Sequence, residues 1–201
     1  MTFPTFFPPS RPVVLEAYRP DWAGEYQQLA ARLQQAAGPT IVRLDHIGST
    51  AVPGLCAKDV IDVQLTVASL EEAAGNLTGV LRQAGFRQGE SWQYDIFHAL
   101  PAASPELRKL YMREPEGERR MHLHIREAAR FNARFALLCR DYLRAQDPAR
   151  QEYALLKQRA AHLFPTSIDG YLFLKEPVFH LLYQAAELWA EKTGWRLPAP
   201  Q

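Results

Sequence analysis

Apolar residues along the chain repeat with two periods, and the switch between them predicts the elements. Trp22, Tyr26, Leu29, Leu33 and Ala36 fall on one face of a helix. Asp21, just after Pro20, would cap it, and Gly38-Pro39 would stop it. The period then shortens. IVRLDHI (41–47) and VIDVQLTV (60–67) read as strands, and in the second Val63, Leu65 and Val67 point one way while Asp62, Gln64 and Thr66 point the other. Ser69 with Glu72 three residues on forms a capping box for a helix whose stripe is Leu70, Ala73, Leu77, Leu81 and Ala84, ended by Gly85.

Residues 92–100, 107–113 and 120–126 read as three further strands, with EPEGE (114–118) as a turn. In the last of them His122 and His124 share one face and Met121, Leu123 and Ile125 the other. From Ala128 the pattern is helical. One stripe is Phe131, Phe135, Leu138 and Tyr142; a second, after Asp147-Pro148, is Tyr153, Leu156, Ala160 and Leu163. A third carries Tyr171, Leu174, Val178, Leu181, Leu182, Ala185 and Leu188 and is expected to kink or restart at Pro177. This order predicts an α+β fold: a mixed sheet flanked by helices, with a C-terminal helical segment. The expected organisation is an extended arm (1–12), one domain (13–195, with a sheet core over 13–127 and a helical part over 128–191) and a loose tail (196–201).

Composition narrows the function classes. The 201 residues suffice for one domain with a real core. With 23 basic and 22 acidic residues the net charge is +1, which argues against a nucleic-acid coat or a membrane-surface protein. Apolar stretches are too short to span a bilayer, and the N-terminus lacks a signal-type pattern, so the cytoplasm is the expected location. Two distant cysteines, Cys56 and Cys139, make a disulfide scaffold or a cysteine-based zinc site improbable.

The unusual segment is HIGSTAVPGLCAK (46–58), a loop between two strands. Glycines let backbone N–H groups approach an anion, hydroxyls add donors and lysine adds charge, so Gly48, Ser49, Thr50 and Lys58 are candidate phosphate ligands. It is neither a Walker A loop nor a dinucleotide fingerprint. Downstream, Asp62 sits in an otherwise apolar strand, where a carboxylate is costly unless it pairs or binds a cation. A Gly-Ser turn followed by an Asp-bearing strand is the layout of nucleotidyltransferase-fold sites.

HIGSTAVPGLCAKDVIDV resembles the signature of the GrpB family, a bacterial group placed in the nucleotidyltransferase superfamily. VVLEAYRPDW (13–22), HLHI (122–125) and CRDYLRAQDPARQEYALLK (139–157) resemble further family segments in the same order. The family module also occurs fused to dephospho-CoA kinases. The resemblance implicates His46, Gly48, Ser49, Lys58, Asp62 and His124, and marks Arg140, Asp141, Tyr153 and Lys157 on the helices. It implies a triphosphate on Gly48 and Ser49 and Mg²⁺ on Asp62. His124, from the neighbouring strand, is a candidate further metal ligand, and Lys58, Arg140 and Lys157 are candidate charge-neutralising groups, with Lys175 another of the same kind. Two positions depart from the pattern. The superfamily's second carboxylate falls at Gln64, and Asp59 stands where the family usually has proline.

The leading expectation is therefore binding of a nucleotide or another phosphorylated small molecule, with Mg²⁺-dependent nucleotidyl transfer to an acceptor. Two alternatives stand beside it: a catalytically degenerate module that binds a nucleotide or coenzyme precursor, and a metal-dependent enzyme built on His46, His122 or His124 with Asp62.

Overall fold

The structure, a computed structural model, describes residues 4–89 and 93–197. Helix α1 (Asp21–Ala37) begins at Asp21 itself, with Pro20 as its flanking residue, so the aspartate complements the helix dipole rather than capping it by a side-chain bond. Trp22, Tyr26, Leu29 and Leu33 are buried on its inner face, as the period requires. Strands β1 (Arg43–Ile47) and β2 (Ile61–Val67) follow. Next come α2 (Leu70–Glu72), a π-helical turn (Ala73–Leu77) and α3 (Thr78–Gln83). The Ser69 hydroxyl accepts the Glu72 N–H at 3.3 Å, the predicted cap.

Strands β3 (Arg87–Gln88), β4 (Leu110–Arg113) and β5 (Met121–Glu127) complete one sheet of order β1-β2-β5-β4-β3. Only the β2–β5 pair is parallel. The strand expected over 92–100 does not form over its described part, 93–100, and residue 92 lies outside the described residues. Tyr94 makes one isolated bridge to Arg108, and the segment instead turns toward the helices to present Asp95 and Phe97.

The register explains the two faces. His46, Val63, Leu123 and Met112 stand side by side, as do Leu44, Leu65, Ile125 and Leu110, and these rows pack under α1, α2 and α3 as the main core. On the opposite face Ile47, Asp62, His122 and Arg113 form one row, and Asp45, Gln64, His124 and Tyr111 the next. A polar face in mid-sheet needs partners; neighbouring strands and loops supply most of them, and the C-terminal helices add the Ala133 carbonyl and Arg140.

Those helices are α4 (Phe131–Ala145), α5 (Asp147–Leu163) and α6 (Ile168–Thr193). Helix α6 is a single element through Pro177. Its expected stripe is only partly right: Leu181 and Leu188 are exposed, while Tyr183, Ala186 and Ala190 turn inward. The reason is that α6 packs against both α4 and α5, and small residues admit that close approach. No helix among the described residues is long and apolar enough to cross a membrane. The end of the expected arm, residues 10–12, is tied down by backbone bonds from Ser10 to Thr166 and, just beyond it, from Val13 to Pro165, which lays Arg11 along the site.

Candidate functional site

The polar face opens into a cleft of about 950 Å³ between the sheet, the arm, and α5 and α6. Asp62 is its sheet-side centre and keeps 26% of its side-chain surface open to it. Burial works against the charge, but the His122 hydrogen bond and the nearby His124 ring more than reverse this, so the carboxyl is held well below the usual carboxylate range. His122 Nδ1–H donates to Asp62 Oδ1 at 2.9 Å. That bond selects the tautomer with a lone pair on Nε2, as a carboxylate–imidazole pair does in general-base sites.

His124 is placed differently. Its Nε2 lies 3.8 Å from Asp62 Oδ1, and Lys109 Nζ donates to its Nδ1 at 3.3 Å. Lys109 is in turn held by Asp95 at 2.6 Å. Burial, with Lys109 beside it, pushes His124 down to about 4, so the ring is neutral. With Nδ1 accepting from Lys109, the ring proton sits on Nε2 and points at Asp62. Asp62, His122 and His124 do offer ligand atoms within 4.8 Å of one another. One carboxylate and two imidazoles suit a softer divalent ion, however, whereas Mg²⁺ demands oxygens. The donor set does not fit the expected Mg²⁺.

Gln64 explains why no second carboxylate completes the set. It is fully buried, accepts from Arg126 at 2.6 Å and donates to the Ala133 carbonyl at 3.0 Å. Asp59 does not replace it. It lies in the loop before β2 and is held by Trp22 Nε1 at 2.8 Å and Arg119 at 2.5 Å, at the rim of the cleft.

The cleft is also rich in cations. Lys58, Lys157 and Lys175 line the cleft with Arg11 and Arg120. Burial, then the nearby Lys175, lowers Lys58 to about 8. The same two causes lower Lys157 to about 7. Lys175 is also lowered by burial. Like charges gathered in a part-buried cleft are a cost that an anionic ligand would relieve. Lys157 is the most deeply set, with its ammonium on the Cys56 carbonyl and above the Tyr153 ring. Lys58 stands over Tyr171.

The remaining candidates divide. Ser49 and Thr50 line the cleft. Gly48 contributes space: at φ +71°, a Cβ there would lie 2.9 Å from the Asp62 Cβ and closer still to its carboxylate. The glycine thus admits Asp62 to the loop. His46, expected at the site, stands on the other sheet face opposite Val63, stacked on Tyr26 at 4.7 Å and bonded to Thr50 at 3.0 Å. Burial lowers it to about 4, so it is a neutral strut. Arg140, expected over the phosphates, does not line the cleft. It is 2% exposed and donates to Asp141 at 2.7 Å and to the His46 carbonyl at 3.0 Å. It anchors the loop from behind.

Sequence reasoning passed over Arg11, Arg120, Lys109 and Asp95. The pair Arg119-Arg120 directly before a His-bearing strand was the available signal; Asp95 and Lys109 acquire meaning only through contacts between segments.

The lysines make stability depend on pH. Each has a folded value below the unfolded one, so unfolding takes up protons between the two. Stability should rise from about pH 7 toward the ordinary lysine range, and Lys157→Met should flatten the lower part of that rise while Lys58 keeps the upper part. Denaturant unfolding at several pH values between neutrality and mildly alkaline checks this; a variant slope equal to that of the parent would refute it.

Comparison with known proteins follows the whole of this architecture. Residues 12–185 match the family described as GrpB protein. A dephospho-CoA kinase of Mycolicibacterium paratuberculosis is 36% identical over 92% of this chain and 48% of its own length. A UPF0157 protein of Halalkalibacterium halodurans is 27% identical over 89% of this chain and 85% of its own. The chain spans about half the length of the first of these. The crystal structure of conserved protein GrpB from Enterococcus faecalis superposes with a TM-score of 0.72 at 26% identity, covering 88% of this chain and 99% of that one.

Proposed function

The chain belongs to the GrpB family, and on that premise we propose that its cleft binds a nucleotide or another phosphorylated small molecule. The observation that carries the reading is the gathering of cations: Lys58, Lys175, Arg11 and Arg120 line one cavity of ligand size together with the Asp62–His122 pair. Phosphates belong among these cations, where charge-assisted bonds are strong because water is partly excluded. Relatives named dephospho-CoA kinase make a coenzyme A precursor a natural first ligand to try, beside nucleoside triphosphates and pyrophosphate.

Calorimetry on the purified chain tests it. Pyrophosphate and nucleotides are expected to bind. Lys58→Met with Lys175→Met is expected to weaken pyrophosphate by about 10²–10⁴-fold, at about 1.5–3 kcal/mol for each of the two charged bonds. Affinity should also fall as pH rises through about 8, where Lys58 loses its proton. Failure of every phosphorylated probe to bind would end the proposal.

The Asp62–His122 bond favours a second, catalytic reading. An acceptor hydroxyl placed at His122 Nε2 would give its proton to the ring while its oxygen bonds to phosphorus and the bridging P–O bond to pyrophosphate breaks. Asp62 stabilises the imidazolium so formed. Pyrophosphate release with a candidate acceptor, lost in His122→Asn while binding persists, separates this from binding alone.

A further inference from the structure

Away from the cleft, three side chains distant in sequence meet at the junction of the 93–100 segment with α6. Glu176 and His180 lie one helical turn apart, four residues, on the same side of α6, and His98 comes across from the segment. His98 Nε2 is 3.1 Å from Glu176 Oε1, and His180 Nε2 is 3.4 Å from the same oxygen. The two rings are 4.3 Å apart. All three ligand atoms fall within 4.8 Å of one another.

These separations have a particular size. Zinc bonds of about 2.0–2.1 Å at tetrahedral angles put neighbouring ligand atoms roughly 3.4 Å apart. Both Nε2–Oε1 spacings match that edge. A second feature points the same way. Glu176 Oε1 is shielded from solvent and has no aligned hydrogen-bond donor among the described residues. A buried carboxylate oxygen without a donor is costly unless a cation reaches it. His180 Nε2 also stands 3.3 Å from the Ile96 carbonyl, a long contact that a metal bond would replace. Phe97 meets the His180 ring edge-on at 5.2 Å and shields that flank.

We propose that His98, Glu176 and His180 form a binding site for a divalent transition metal, with Zn²⁺ as the best match and water as the fourth ligand. Two imidazoles and one carboxylate are the donor chemistry of such ions and not of Mg²⁺ or Ca²⁺. The site clamps the 93–100 segment to α6. That segment also carries Asp95, which holds Lys109 and Arg126 and through them the His124 side of the cleft. The metal would therefore brace the cleft from outside without touching its ligand.

The test is Zn²⁺ binding to the chelator-stripped full chain by equilibrium dialysis and calorimetry, with His98→Ala, His180→Ala and His122→Ala in parallel. His98 is largely exposed, at 62%, so its truncation leaves the fold intact. One Zn²⁺ equivalent is expected to persist in His122→Ala, whether or not the cleft of the parent chain takes up another. It should be weakened about 10–100-fold or more in His98→Ala and in His180→Ala, since even outer partners of metal ligands are worth that much. Co²⁺ in its place should give tetrahedral visible bands that vanish in the same two variants. Zinc affinity unchanged by loss of His98 overturns the proposal. So does an equivalent that disappears only in His122→Ala, because that ion belongs to the cleft.

Discussion

Replacing Gly48 with alanine should be among the most damaging single-methyl changes available to this protein. The residue sits at φ +71° and ψ −168°, a region of backbone space open essentially to glycine. Entering it costs another residue about 1–3 kcal/mol. The added methyl would also press into Asp62, at 2.9 Å from its Cβ and Cγ, inside any real carbon–carbon contact. Either the loop or the strand must shift, so the total loss should be about 3 kcal/mol or more, a fall in Tm of roughly 6–12 °C for a chain of this size. Pyrophosphate affinity should fall with it, because the shift displaces Asp62 and the Ser49 backbone together. Asp62→Ala should not rescue the variant, since its Cβ remains. Thermal melts of the two single variants and the double check this; a Tm within about 2 °C of the parent would count against it.

The second large effect separates structure from binding. Arg140→Met should cost about 3–5 kcal/mol, the range for removing one partner of a buried ion network. Arg140 lies 3.7 Å from Asp45, which is wholly buried and is otherwise held by Arg43 at 2.6 and 2.5 Å. Removing the guanidinium strips Asp45 of a cationic neighbour, and Asp141 and the His46 carbonyl of a donor, at once. In the folded fraction that survives, pyrophosphate affinity should stay within about twofold, less than the roughly 1.5–3 kcal/mol of a lost charged hydrogen bond. Were Arg140 a phosphate ligand, the two effects would exchange: little lost stability and a large loss of affinity. Denaturant unfolding beside calorimetry reads both.

Much of this arrangement was legible in the residues. The period-two alternation of β2 assigned Asp62 to the face away from the core before any neighbour was known, and the same rule put His122 and His124 together. The Ser69 cap, the inner face of α1 and the helical run after Ala128 followed from local rules. The errors have local causes too. A run of aromatic and β-favouring residues before Pro101 reads as strand, yet 93–100 spends them on helix contacts. The apolar stripe of α6 was drawn for one packing surface, while the helix has two.

The site divides along the same line. Asp62, Ser49, Thr50, Lys58 and Lys157 were candidates from sequence and all line the cleft. His46 was a candidate by its place beside the 48–58 loop and Arg140 by its place in the family-like helical segment, and both lie behind the loop. A motif names residues near one another in the chain, whereas a strand sends neighbours to opposite faces, so His46 and Asp62 could never serve one cavity across paired antiparallel strands.

From the chain alone came the elements, the polar face of β2 and β5, the exceptional loop and the family resemblance, because each depends on spacing within one segment. The tertiary structure decided what those groups do. Only packing shows that Gly48 makes room for Asp62, that Lys109 directs the His124 proton, that Gln64 is spent on Arg126, and that Arg11 and Arg120 join Lys58 and Lys175 in lining one cleft. It also brings His98 to Glu176 and His180, a meeting invisible in sequence because burial and pairing between distant segments assign a charged side chain its role.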